Sequence, residues 1–377
     1  MTIDPWHFPR PQLAKQYLAF FDAGLSNAMI LFQQRRFGKT EFCLYDLAPA
    51  AEANGYVVVY ASFWQARLAP TTLLLHALEK ALERKTFGER VREFLTAPVT
   101  KLKLSGELMG NKAEAEIDLA SVPQRASAEL LLYLSELIQR AAKRARGKLL
   151  LILDEVQELA ESSTNDALVA AVRTILDTHR RLVKVVFTGS SQDGLTRMFS
   201  SAKAPFFHFG TRMDLPPLDS AFVKHIASVF QGISRARVPV AALTAAFEAL
   251  HNNPYYFRKL VEIMLSQPKL KLPEALTTLY ERIAEEQGFP RLWESLQRID
   301  RAVVLWLSRG PGPLFTKAAR KYIAECSDEP ELTIHAVQGA LRRLSNQHVV
   351  RALPDRGQYG LEDAELGAWC QAKTLHQ

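Results

Sequence analysis

The sequence predicts an α/β fold, a parallel sheet with helices on both faces, followed by an α-helical segment and a winged helix-turn-helix. Three observations carry this. Short apolar runs alternate with helical patterns through the first half of the chain. A Gly-Lys-Thr turn follows the first of these runs, and an acidic pair ends a later one. After Leu215-Pro216-Pro217-Leu218 the strand signal stops and helical periodicity takes over.

Each element has its own reason. Ala28–Gln33 is an apolar run of strand length, and Thr40–Asn54 is a helical pattern that ends near Gly55. Val57–Ala61 opens with three valines and reads as a second strand. Thr71–Arg84 carries apolar residues at helical spacing. Leu102–Leu108 and Ala113–Leu119 alternate around Gly110-Asn111, a hairpin signal within 101–119. Ala126–Arg144 is a long helical pattern with a basic end, and Leu149–Leu153 a continuous apolar strand. Ala167–Asp177 sets Leu168, Val172 and Ile175 on one helix face, before the apolar strand Val183–Phe187. Phe206–Phe209 reads as a further short strand. Ser220–Phe230, Val240–Asn252, Tyr255–Ser266 and Pro273–Gln287 read as helices. Val303–Leu307, Thr316–Cys326 and Thr333–Asn346 then precede the short strands Val349–Leu353 and Tyr359–Leu361, the order of a winged helix-turn-helix. The expected boundaries are 1–218, 219–290 and 291–377.

Composition narrows the classes. The chain has 377 residues, 48% of them hydrophobic, which suits two or three globular domains. No apolar run reaches bilayer length and the N terminus lacks a signal-peptide pattern, so a soluble cytoplasmic protein is expected, with no membrane partner. Cys43, Cys326 and Cys370 stand far apart, without metal-type spacing. The net charge of +7 makes nucleic acid a candidate partner.

The chemistry concentrates in Gln33-Gln34-Arg35-Arg36-Phe37-Gly38-Lys39-Thr40, which follows a strand and opens a helix. It ends as a phosphate-binding loop ends. Gly38 lets the backbone approach a phosphate, Lys39 reaches the β/γ-phosphates, and Thr40 supplies a hydroxyl for Mg²⁺. Gln33 stands where the pattern has its first glycine, so the turn must either use negative φ or be distorted. Asp154 ends the strand Leu149–Leu153, where ligands bind in open α/β sheets, and is a candidate Mg²⁺ ligand. Glu155 is a candidate general base. Thr188-Gly189-Ser190-Ser191 closes another strand with hydroxyls placed to sense a γ-phosphate or orient water, or simply with a serine-rich turn.

Arg35-Arg36-Phe37-Gly38-Lys39-Thr40, Leu153-Asp154-Glu155-Val156-Gln157 and Thr188-Gly189-Ser190-Ser191 together resemble the archaeal-type ATPase family of P-loop proteins, within the AAA+/STAND-like ATPases. Pro205-Phe206-Phe207, Leu215-Pro216-Pro217-Leu218 and Asn253-Pro254-Tyr255-Tyr256 follow in that family's order. The resemblance spans about Phe8 to Gln287. It implies an AAA+-like core, a helical lid and a C-terminal winged helix as companion. By position, it implies Arg35 to Thr40 at the phosphates, Asp154 and Glu155 as the second Walker motif, and Ser190 as sensor. It also implies Arg10 near the adenine pocket, Pro254 against the base, and Arg258 as a second sensor cation or a solvated helix residue. Arg197 and Arg212 are the nearest choices for a trans-acting arginine finger.

In the C-terminal segment Ile334, Val337, Leu341 and Leu344 form an apolar helix face with Arg342 and Arg343 toward solvent. Arg351 and Arg356 lie on the expected wing, and these four arginines are the DNA-binding candidates. A packing module is the alternative. The expected whole is an ATPase that binds and hydrolyses ATP with Mg²⁺ as a conformational or assembly switch. ADP as product, a homo-oligomer, double-stranded DNA and an effector protein are its expected partners, in a mobile-element or defence setting. The alternative is a DNA-binding regulator or scaffold with a degenerate nucleotide site.

Overall fold

A computed structural model describes residues 4–33, 35–83, 101–104, 115–118, 128–146, 148–190, 192–200, 204, 206–330, 332–353, 355 and 357–374. The chain divides into two compact units, Met1–His225 and Ile226–Gln377.

The first unit is built on a five-stranded sheet, β1 (Ala28–Phe32), β2 (Val57–Ser62), β5 (Leu149–Asp154), β6 (Val183–Gly189) and β7 (Thr211–Asp214), in the order β2-β5-β6-β1-β7. Every pairing is parallel. The chain steps away from β1 on one side and returns to its other side only at β7. The carboxyl end of β1 is therefore a topological switch point, the usual ligand crevice of such sheets. The outlying pair β3 (Lys101–Leu104) and β4 (Ala115–Asp118) is antiparallel, as the hairpin reading expects; Gly110-Asn111 lies outside the described residues.

Alternation along the strands explains the two-faced burial. Leu149, Leu151 and Leu153 face one core with Val185 and Phe187, while Leu150 and Ile152 face the other with Met29 and Leu31. On the first face lie α3 (Pro70–Ala81), α4 (Ala128–Arg144), α5 (Asp166–Thr178) and α6 (Gln192–Phe199). On the second lie α1 (Pro11–Asp22) and α2, which runs as α-helix Lys39–Glu41, a π-helical turn Phe42–Leu47, and α-helix Ala48–Ala53.

The expected strand Phe206–Phe209 is instead a turn, and the strand follows it at Thr211–Asp214. Phe206 and Phe209 are buried for packing. Phe206 stacks on Phe199 at 5.5 Å and tilts against Phe187 at 5.0 Å. An aromatic cluster therefore gives the apolar signal that sequence reading takes for a strand.

Helix α7 (Ser220–Ser234) runs across the division between the units. The second unit continues with α8 (Val240–Ala249), α9 (Pro254–Ser266), α10 (Leu272–Glu286) and α11 (Phe289–Ser295). Then come α12 (Arg298–Ser308), β8 (Gly312–Pro313), α13 (Lys317–Ser327), α14 (Ile334–Asn346), β9 (Val350–Ala352), β10 (Gln358–Leu361) and α15 (Ala364–Thr374). The short strands pair antiparallel in the order β8-β10-β9. Local chemistry sets the helix starts. Asn253 caps α9 by accepting from the Tyr255 and Tyr256 amides, with Pro254 at the first position; Thr316 and Thr333 cap α13 and α14 through the Ala319 and Ala336 amides at 3.2 Å.

Candidate nucleotide site

At the end of β1 the chain turns through a loop whose left-handed residues are Arg36 (φ 69°) and Gly38 (φ 79°). Gly38 is the helix N-cap of α2, and its φ explains the glycine. Gln33 is not among the left-handed residues, so the turn does not need a glycine there. The Gln33 side chain instead donates to the Leu215 carbonyl at 3.2 Å, tying the loop to the segment after β7. Arg10 closes the other side. Its Nη2 donates to the Gly38 carbonyl at 3.2 Å, its backbone amide donates to Asp46 at 2.8 Å, and its guanidinium lies over the Phe42 ring at 4.9 Å.

Lys39 is only 5% exposed, and its Nζ lies 3.1 Å from Glu155 Oε1. Thr40 Oγ1 donates to Asp154 Oδ2 at 2.9 Å. The register explains the second contact. Asp154 continues the Leu150–Ile152 alternation, so it faces the side of the sheet on which α2 packs. Tyr60 belongs to the same face, and its buried hydroxyl donates to Asp154 Oδ2 at 2.9 Å. Asp154 Oδ1 accepts from the Thr188 hydroxyl and from the Glu155 amide. A carboxylate 2% exposed is thus held by a ring of donors.

Glu155 occupies left-handed backbone, φ 54° and ψ 45°. For a non-glycine residue this costs on the order of 1 kcal/mol, and it swings the carboxylate away from the strand direction. Oε2 accepts from the Ser190 amide at 3.2 Å, from its hydroxyl at 2.6 Å, and from Gln157. Burial pushes this carboxyl pKa up, but Lys39 and the hydrogen bonds from Ser190 and Gln157 outweigh it and leave the pKa lowered. Glu155 is held as an anion.

Arg35 and Phe37 flank the loop. Arg35 is exposed, with its guanidinium 4.3 Å from the Trp64 ring centroid; Arg67 lies 3.6 Å from the same ring and pairs with Glu158 at 2.9 Å. The structure therefore links Arg10, Gly38, Lys39, Thr40, Asp154, Glu155 and Ser190 in one network, with Arg35, Arg36 and Phe37 preceding Gly38 in the same loop. Tyr60, Thr188 and Gln157 join them. Sequence reading gave Tyr60 and Gln157 no specific role and expected of Thr188 only a hydroxyl in a sensing turn, although Tyr60 and Thr188 lie near the carboxyl ends of their strands, where such a partner is to be sought.

Arg197 on α6 pairs with Glu161 at 2.6 Å. Arg212 is exposed on the edge strand β7, 5.9 Å from the Phe32 ring. Pro254 is buried at the start of α9 in the second unit, with the half-buried Arg258 one turn on.

Arg343 keeps a partly exposed side chain but is not a free cation. Its Nε and Nη2 donate to Asp300 at 3.1 and 2.6 Å, a bidentate clamp on a carboxylate only 3% exposed. A buried Asp300 needs that partner, which commits Arg343 to packing. Arg342 is exposed, Arg351 lies 4.0 Å from Glu362, and Arg356 lies outside the described residues.

The donor set suits a hard cation. A threonine hydroxyl and a carboxylate are oxygen ligands of the kind Mg²⁺ takes, and among the described residues no group of three or more His, Cys, Asp or Glu side chains is arranged to hold a metal ion. The sheet order, with β6 between the loop strand β1 and the acidic strand β5, and a glycine-lysine-threonine loop facing an Asp-Glu pair, define an AAA+-like P-loop fold.

Solved structures agree. A Walker-type ATPase of Pyrococcus abyssi is similar at a TM-score of 0.61 and 16% identity, over 97% of this chain and 96% of that one. The ORC2 protein of Aeropyrum pernix in its ADP form is similar at 0.52 and 15%, over 96% and 93%. Its ADPNP-ADP complexes give 0.52 and 16%, over 97% and 93%. No family model and no curated protein matches the sequence. Among the described residues, no helix is long and apolar enough to cross a membrane.

Proposed function

We propose that the protein binds ATP at the loop 33–40 and hydrolyses it with Mg²⁺, using the reaction as a conformational or assembly switch. The observation that supports this most is the double pairing across the crevice, Lys39 with Glu155 and Thr40 with Asp154. Two loop residues and two strand-end carboxylates, 114 and more positions apart in sequence, are brought within contact, the residue types that phosphoryl transfer draws on. The ADP carried by the Aeropyrum protein is the ligand this reading brings to the chain.

The residues then have distinct tasks. The amide end of α2 at Gly38 faces the phosphates. Lys39 exchanges Glu155 for phosphate oxygens, which frees the carboxylate to accept a proton from the attacking water. Ser190 holds that carboxylate in place until then. Thr40 and Asp154 would hold Mg²⁺, which neutralises charge on the phosphates when bound. Arg212, exposed on an edge strand, is open to the nucleotide of a neighbouring copy in a homo-oligomer; Arg197 is the second choice.

The output we assign to the C-terminal module, read as a winged helix-turn-helix, is contact with double-stranded DNA or recruitment of an effector protein. Exposed Arg342 on α14 and Arg351 on β9 are its DNA-contacting candidates. The mobile-element or defence setting remains part of the proposal. Calorimetry with ATP–Mg²⁺ tests its core. Binding that disappears in Lys39→Ala supports it, and unchanged affinity in that variant sinks it.

A further inference from the structure

At the opposite end of the sheet the same strands build a second feature. A cleft of about 500 Å³ opens at their amino ends. Asn27 enters it from the start of β1, Tyr56 from the start of β2, Lys148 from the start of β5, and Arg180, Arg181 and Lys184 from the start of β6. The cations Lys148, Arg180, Arg181 and Lys184 share this cleft with one carboxylate, Asp22.

None of these cations is in an ion pair among the described residues. Lys148 donates to the Asn54 carbonyl at 3.1 Å, and Lys184 lies 3.4 Å from the Arg180 carbonyl. Asp22 is already engaged by the Tyr56 hydroxyl at 3.1 Å. Arg180, Arg181 and Lys148 are exposed, and Lys184 is half-buried. Burial holds the Lys184 ammonium pKa below its ordinary value, with Asp22 raising it and Arg180 lowering it further. Like charges brought together over a concave surface repel one another unless an anion joins them. The arginine pair offers planar forks suited to phosphate oxygens.

We infer that this cleft binds a phosphate-bearing polyanion, with Arg180 and Arg181 as its principal contacts. It is separate from the nucleotide crevice. The strands between the two are about six residues long, roughly 20 Å. The cleft is open, so a phosphate on a nucleic-acid backbone and one on a small polyphosphate can both enter.

The test uses the full chain and its double variant Arg180→Ala/Arg181→Ala. Filter binding of a radiolabelled duplex of about 20 base pairs is measured in an Arg342→Ala background, so that the C-terminal module contributes least. Calorimetry with inorganic tripolyphosphate is measured in a Lys39→Ala background, so that the loop contributes least. The double variant is expected to weaken one probe about tenfold and to lower the dependence of log K on log salt by about two where the duplex is that probe. Arg180→Lys/Arg181→Lys should restore part of the binding. Loss confined to the duplex assigns a nucleic-acid backbone, and loss confined to tripolyphosphate assigns a small polyphosphate. Equal binding of both probes by parent and variant overturns the inference, as does failure of the parent to bind either.

Discussion

The two ends of one sheet carry opposite electrostatics. At the carboxyl end Asp154 and Glu155 are buried or nearly so, and donors from β2, β6 and α2 hold them. At the amino end Lys148, Arg180 and Arg181 are exposed and Lys184 is half-buried, the two lysines with carbonyls for partners. The difference shows how a parallel sheet assigns work. Its carboxyl end collects groups pre-organised for chemistry, with both carboxylates already hydrogen-bonded. Its amino end is free to keep unsatisfied charge in water, where such charge is cheap to hold and available to a ligand.

Variants at one end should leave the other unchanged, which makes the comparison breakable. Glu155→Gln removes the candidate base and should cut ATP hydrolysis about 1,000-fold while nucleotide binding persists. Steady-state turnover beside calorimetry checks this, and a wild-type rate would remove Glu155 from the role of base. Lys39→Ala should weaken ATP by about 100-fold, roughly 3 kcal/mol, with tripolyphosphate retention at the amino end intact. Tyr60→Phe is subtler. It strips one donor from Asp154 without touching nucleotide, so ATP affinity in EDTA should hold while the Mg²⁺ midpoint for tight binding rises about tenfold. An unchanged midpoint would reduce Tyr60 to packing.

The smallest effect concerns pH. His7 is 5% exposed, 3.2 Å from Asp46 and 3.8 Å from Glu41, a charge pairing without hydrogen-bond alignment. Burial lowers its pKa, but Asp46 and Glu41 outweigh that and raise it to about 9. The folded pKa lies above the unfolded one. The stabilisation is therefore complete below pH about 6.5 and lost as pH rises through about 9. Thermal denaturation should show a drop of about 1–2 kcal/mol across that window, flattened in His7→Gln.

Much of the core was legible in the sequence because its signals are local. Leu149–Leu153 is apolar on both faces, and Gly38-Lys39-Thr40 carries its chemistry in consecutive residues. What escaped is long-range. Tyr60 meets Asp154 across 94 positions and Arg343 meets Asp300 across 43, and no periodicity announces either. Phe206 and Phe209 misled because aromatic packing and strand burial write the same apolar letters. The π-helical turn in α2 escaped because one extra residue per turn leaves the composition unchanged.

The stacking of Arg35 on Trp64 has a practical consequence. Of five tryptophans, this indole touches the loop 33–40 through Arg35. Its intrinsic fluorescence should respond when the loop moves, so emission from the unlabelled protein can time each opening and closing. Trp64→Phe removes that signal and identifies its source.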